Sequence, residues 1–298
     1  MEHFAPSGPL RICYDTFGNP SDPALLLIMG LGAQMILWDE DFCEQLASRG
    51  LHVIRFDNRD AGHSSSPSGV AVNVDFPALM MRAMQGQRIE APYTLADMAR
   101  DAAAVLDHLG IPAAHIVGAS MGGMIAQEMA IALPSRMLSL TSIMSTTGAP
   151  GMPGPQPDAA AVLMAPPPAT EEAYIAAFCR SWKVLRAGSF PADEARDPTR
   201  AARMWARGVN PTGTGRQLLA IFASGDRTAR LAGVTAPTLV IHGTVDPLVS
   251  VQGGRATAAA IRGARLLEIP TMGHALPMVL WPEVIGAIGA HCAAVVPA

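Results

Sequence analysis

Short uninterrupted apolar runs alternate along this chain with stretches in which apolar residues recur every three or four positions, and the two patterns predict different elements. Ala24-Leu25-Leu26-Leu27-Ile28-Met29 and His52-Val53-Ile54-Arg55-Phe56 predict strands covered on both faces, since a strand with one wet face would alternate polar and apolar residues. Residues 10–17 do alternate, which predicts an early edge strand. Residues 94–109 place Leu95, Met98, Ala99, Ala102, Val105 and Leu106 at helical spacing, with Thr94 as N-cap and Gly110 as the stop. His115-Ile116-Val117 predicts a strand, residues 123–130 a helix and residues 138–144 another strand. This rhythm is that of an α/β fold, a mostly parallel central sheet flanked by helices.

The rhythm breaks at Gly148. Residues 148–168 are rich in proline and glycine, and helical patterns follow at 171–185, 198–207 and 215–223. Strand and helix then alternate again: Thr238-Leu239-Val240-Ile241, a helix over 253–261, the strand Arg265-Leu266-Leu267-Glu268-Ile269, and a last helix from Pro282. The pattern divides the chain into a core, 1–147 and 231–298, and an inserted helical cap, 148–230.

Composition narrows the function classes. Half of the 298 residues are hydrophobic and 15% are charged, enough apolar material for a large core and too little charge for a disordered chain. A net charge of −4 without any run of basic residues argues against nucleic acid as a partner. Cys13, Cys43, Cys179 and Cys292 are far apart with no C-x-x-C spacing, which fits neither a metal cluster nor a disulfide framework. The chain opens with Met1-Glu2-His3, and no apolar stretch approaches the length of a membrane span. The expectation is a cytoplasmic protein, monomer or homodimer, with no membrane partner.

The candidate chemistry centres on Gly118-Ala119-Ser120-Met121-Gly122, lying between a predicted strand and a predicted helix. In that context G-x-S-x-G is a nucleophile elbow, a tight turn that lifts the serine hydroxyl above the sheet. A serine needs a base to take its proton and a third group to orient that base. Among eight histidines, His274 stands in the small-residue loop Thr271-Met272-Gly273-His274-Ala275 just after the last strand, on the edge where open α/β sheets place their sites. Asp246, in His242-Gly243-Thr244-Val245-Asp246-Pro247, reaches the same edge. Taken alone it reads equally well as a turn carboxylate, but the order Ser120, Asp246, His274 matches this architecture. The segment after residue 144 runs into Ser145-Thr146-Thr147 and offers no rival acid. The backbone N–H groups of Met121 and of Leu31, in the turn Met29-Gly30-Leu31-Gly32, are the candidate oxyanion donors.

On these motifs, together with Phe56-Asp57-Asn58-Arg59-Asp60-Ala61-Gly62-His63-Ser64, the chain resembles the α/β-hydrolase superfamily along nearly its whole length. The resemblance implies Ser120, Asp246 and His274 as a catalytic triad, Leu31 and Met121 as oxyanion hole, and Asp57 and Arg59 as loop braces. Two positions depart from the pattern: Met29 stands where a histidine is usual, and Asp60 where D-x-R-G-x-G-x-S has glycine. The phrasing at residues 19–27, 51–56 and 272–277 is similar to the anthracycline (aclacinomycin) methylesterases, although the cap does not follow them. A serine at the elbow argues against the haloalkane dehalogenase and epoxide hydrolase types, which carry aspartate there. The implied activity is a carboxylesterase working through an acyl-enzyme with no cofactor or metal. A lactonase is the alternative, and a hydrolase-fold receptor that binds with little turnover is an alternative of a different class.

The substrate pocket is expected to be apolar and adaptable, since methionine fills irregular shapes. Gly30, Met81, Met84, Met152, Trp182 and Trp205 are the expected lining, with Met164 and Phe222 as further cap candidates. The cap holds no histidine, and its arginines and single lysine are expected to face solvent.

Overall fold

The computed structural model describes residues 1–67, 72, 74–166, 168–190 and 193–295, with Met84 described by its backbone alone. The chain runs β1 (His3–Ser7), β2 (Leu10–Phe17), β3 (Ala24–Ile28), α1 (Glu40–Ala47), β4 (His52–Phe56), α2 (Phe76–Met84), α3 (Leu95–His108), β5 (Ala114–Ala119), α4 (Met121–Ala132) and β6 (Met137–Ile143). Four helices follow, α5 (Pro157–Met164), α6 (Glu171–Leu185), α7 (Arg196–Ala206) and α8 (Pro211–Ser224). The last elements are α9 (Thr228–Leu231), β7 (Thr238–Gly243), α10 (Val251–Ala260), β8 (Arg265–Ile269) and α11 (Trp281–Ala293).

The eight strands form one sheet in the order β1-β2-β4-β3-β5-β6-β7-β8. β1–β2 and β2–β4 pair antiparallel and every later pair is parallel. β3, β4, β5 and β7 are buried at every position, as their unbroken apolar runs predict. The edge position expected of residues 10–17 belongs instead to β1. β2 has a partner on each side, and its residues 12–15 are buried without alternation.

Side chains pointing to one face of the sheet pack with α3, α4 and α9, and those on the other face with α1 and α11. α3 starts on a capping box in which Thr94 Oγ1 accepts from the Asp97 N–H (3.3 Å) and Asp97 Oδ2 accepts from the Thr94 N–H (2.7 Å). α4 is buried from Met121 to Ala130, so it carries no polar face and can sit only in the interior. β3 has β4 on one side and β5 on the other, so the chain reverses its direction of sheet growth there. The crevice at the carboxyl ends of β3 and β5 is the topological switch point at which such sheets bind ligands. No helix among the described residues is long and apolar enough to cross a membrane.

Candidate active site

Ser120 follows β5 immediately and serves as the N-cap of α4. Its backbone is left-handed, φ 56° and ψ −121°, a conformation costly for a residue with a Cβ and held here by its surroundings. The Ser120 N–H donates to Ile143 O at 2.9 Å, and the Ser120 carbonyl accepts from Gly123 N–H (2.9 Å) and Ser145 Oγ (2.8 Å). The flanking glycines leave no room for side chains. A Cβ at Gly118 would stand 2.1 Å from Gly122 O, and one at Gly122 would stand 2.1 Å from Ile28 O.

The three residues picked from the sequence meet at this turn. His274 Nε2 lies 3.0 Å from Ser120 Oγ, and His274 Nδ1 lies 2.7 Å from Asp246 Oδ2. Asp246 and His274 are each 6% exposed, so this hydrogen-bonded line is shielded from water. Asp246 Oδ1 accepts from the Leu248 and Val249 N–H groups, both at 2.9 Å. Burial alone would raise the Asp246 pKa, but His274 and His242 outweigh it and hold the carboxyl well below the ordinary range. The turn carrying Asp246 and the loop carrying His274 are one assembly: Val245 N–H donates to Met272 O at 3.2 Å, and a Cβ at Gly243 would stand 2.0 Å from that oxygen.

Leu31 and Met121 both line the cavity beside Ser120. Met121 is the first residue of α4, where an N–H has no intrahelical acceptor and the helix dipole favours negative charge. The turn after β3 is braced from two sides, by Asn58 Nδ2 donating to Met29 O (2.8 Å) and by Gly32 N–H donating to Gln217 Oε1 (2.8 Å). A Cβ at Gly30 would stand 3.1 Å from the Ser120 Cβ, so the turn lies directly against the serine.

A cavity of about 1720 Å³ opens above Ser120 between the sheet edge and α2 and α5–α8. Typical small-molecule sites measure ~300–1,000 Å³, so there is room for a large ligand. Gly30, Met152, Trp182 and Phe222 line it. Met81 does not: it is 60% exposed, while Met80 and Ala83, on a neighbouring stripe of α2, face the cavity. Trp205 likewise turns away and packs on Tyr174 (5.6 Å between centroids), leaving Met204 at the wall. Met164 is 47% exposed and outside the lining, and the Met84 side chain lies outside the described residues.

Arg180, Lys183, Arg203 and Arg230 of the cap face solvent as expected, and three other arginines do not. Arg186, Arg216 and Arg227 are at most 5% exposed because each has found partners. Arg186 Nη2 donates to Asp197 Oδ1 (2.7 Å), and Arg216 Nε to Asp60 Oδ2 (2.9 Å). Arg227 donates to Gln127 Oε1 (3.0 Å) and Thr146 O (2.9 Å). Asp60, the departure from glycine, sits at φ 72° and also accepts from Tyr93 Oη (2.6 Å), so it anchors the cap to the core. Along α7, Arg200 and Arg203 pair with Asp39 and Glu40 at the start of α1, and Arg207, just beyond the helix, meets Asp57. Asp57 also accepts from Met35 N–H (2.7 Å), and Arg59 Nη2 donates to Asp101 Oδ1 (2.9 Å), the bracing expected of both.

Sequence reasoning passed over His242. It is fully buried at the end of β7, with Nε2 2.8 Å from Val249 O and 3.4 Å from Asp246 Oδ2, so it steadies the turn that presents the acid. The signal was the spacing His242-Gly243-x-x-Asp246, which puts the imidazole beside the carboxylate once the strand ends in a turn.

Residues 23–279 match the family model described as the alpha/beta hydrolase fold. Rhodomycin D methylesterase DauP of Streptomyces sp. (strain C5) is 32% identical over 92% of both chains, and rhodomycin D methylesterase DnrP of Streptomyces peucetius is likewise 32% identical over 92% of both. The crystal structure of a hydrolase from Pseudomonas aeruginosa PA01 superimposes with a TM-score of 0.70 at 27% identity, covering 100% of this chain and 98% of that one. With the strand order, the elbow and this match along most of its length, the chain belongs to the α/β-hydrolase fold family.

Proposed function

We propose that this protein is a serine hydrolase that cleaves carboxylic esters through a Ser120–His274–Asp246 triad. The observation that carries the reading is the unbroken line from Ser120 Oγ through His274 to Asp246, at 3.0 Å and 2.7 Å, opening into a cavity walled mainly by apolar side chains. Ser120 Oγ attacks the ester carbonyl carbon while its proton passes to His274 Nε2, and Asp246 steadies the resulting imidazolium. The oxyanion is met by the N–H groups of Leu31 and Met121. Collapse expels the alcohol, which takes the proton from His274 and leaves an acyl-serine. Water then attacks the acyl carbon, gives its proton to His274, and releases the acid with Ser120 restored.

The cavity volume and the methylesterase relatives support a bulky acid portion carrying a small alcohol. The test is hydrolysis of p-nitrophenyl esters from acetate to decanoate, and of methyl esters of polycyclic acids, by the wild type and Ser120→Ala side by side. Serine-dependent turnover is expected, with methyl esters of large acids preferred. Equal rates in the two proteins would overturn the assignment of the nucleophile. Turnover of lactones in preference to open esters would move the reading to a lactonase.

A further inference from the structure

His274 is held from the cap as well as from the core. Its backbone N–H donates at 2.7 Å to the carbonyl of Leu185, the last residue of α6. The preceding Gly273 lies so close that a Cβ there would stand 2.3 Å from the same oxygen. That carbonyl is free to accept because the last C=O groups of a helix have no intrahelical donor. The helix stops at this point, with Arg186 as C-cap and Ala187 left-handed at φ 56°.

The side chain of Arg186 then turns inward. It bonds Asp197 of α7 with its Nη2 at 2.7 Å from Oδ1, and both side chains are at most 5% exposed. Asp197 also meets Arg200 Nη1 at 3.3 Å, and Arg200 Nε reaches Asp39 of the core at 3.0 Å. A continuous series of contacts therefore runs from Asp39 through Arg200, Asp197 and Arg186 to the Leu185 carbonyl and His274. Arg186 Nη1 and Asp197 Oδ2 are buried without a hydrogen-bond partner among the described residues. An incompletely satisfied buried ion pair adds little stability over an apolar pair of the same volume. What it supplies is a directional fix on the end of α6.

We propose that Arg186 and Asp197 are positioning residues: they seat the end of α6 so that the Leu185 carbonyl holds the His274 loop with Nε2 in reach of Ser120. Seating of the cap and activation of the serine are then one event, and a cap lifted from the core leaves Ser120 without its base. The inference rests on the Ser120–His274 reading above.

The experiment measures the second-order rate at which a small alkyl fluorophosphonate modifies Ser120 in the full chain. Arg186→Met/Asp197→Leu keeps the volume and leaves no lone charge. Its rate is expected to fall about tenfold or more, because a displacement near 1 Å is costly in such a step. Arg186→Lys, which keeps a cation facing Asp197, should recover to within about threefold of the wild type, and Arg203→Met, which breaks an α7 pair away from the α6 end, should stay within about twofold. A merely structural pair predicts the opposite: a loosened cap admits the small reagent as fast or faster, and only the KM of a bulky ester rises. An unchanged or faster rate in the double variant, or an equal fall in Arg203→Met, overturns the proposal. If the double variant does not fold, Asp197→Asn decides, a fall of about threefold or more supporting the proposal and an unchanged rate overturning it. A wild type that is not modified at Ser120 at all overturns the serine-hydrolase reading instead.

Discussion

At the carboxyl edge of the sheet, Ser120, Asp246 and His274 are placed by backbone. Backbone packs so tightly there that Gly118, Gly122, Gly243 and Gly273 have no room for a Cβ, with the Ser120 N–H bonded to Ile143 of β6 and the His274 N–H to Leu185 at the end of α6. In the cap, position is set by side chains: Trp182, Phe222 and Met152 form the wall, and Arg200, Arg203, Arg207 and Arg216 tie the helices to acidic residues of the core. A site fixed by backbone tolerates almost no substitution, whereas a wall fixed by side-chain packing and ion pairs can be recut without losing the fold. The two regions respond to different perturbations, and they meet at the end of α6, where the Leu185 carbonyl accepts from the His274 N–H.

The largest expected effect is at the edge. Ser120→Ala should lower kcat by about 10,000-fold or more with the melting temperature nearly unchanged, since only the hydroxyl is lost. Gly118→Ala should destabilise by about 3 kcal/mol or more by forcing a Cβ toward Gly122 O, seen as a lower denaturant midpoint, and should abolish activity with it. A mild result at Gly118 would break the contrast drawn here.

The core also carries a pH signature. His115, buried in β5 beside Ser139, has its pKa pushed down to about 4 by burial and by the neighbouring His291. The unfolded chain takes up the proton first, so this stability is full above the ordinary histidine value of about 6.5 and is lost as the pH falls toward 4. Between pH 7 and pH 5 the loss from this group should be about 2 kcal/mol, measured by urea unfolding, and His115→Asn should flatten the dependence.

In the cap the effects are smaller. Trp182→Ala should raise KM for a bulky ester about tenfold, about 1.4 kcal/mol, with kcat/KM for p-nitrophenyl acetate within about twofold of the wild type. A collapse of acetate hydrolysis would show that this wall belongs to the catalytic machinery after all. Arg203→Met should cost less than about 1 kcal/mol, because both it and Glu40 are partly exposed and salt screens the pair.

The same contrast explains what was legible in the sequence. The elbow could be read because a turn that tight admits few residues other than glycine, and α3 because its helical spacing starts at Thr94 and stops at Gly110. The cap helix over 171–185 was legible from its spacing alone. β1 went unread because five residues containing Pro6 give too short a pattern, and α5 because its Pro157 was taken with the surrounding prolines as loop, although proline opens helices well. Met81 and Trp205 were misplaced because spacing identifies a helix without saying which stripe faces the cavity. The burial of Arg216 and Arg227 is not legible from the sequence because their partners, Asp60 and Gln127, lie far away along the chain. Asp60 is 156 residues from Arg216, and composition counts charges without pairing them.

The most direct test of the central claim is the mass of the intact protein after reaction with a p-nitrophenyl dialkyl phosphate, followed by mapping of the modified peptide. The account predicts one dialkylphosphoryl group per chain, on Ser120, with release of p-nitrophenol, and no adduct at that site in His274→Ala on the same timescale. An unmodified protein, or a group carried elsewhere while Ser120 stays free, would contradict it.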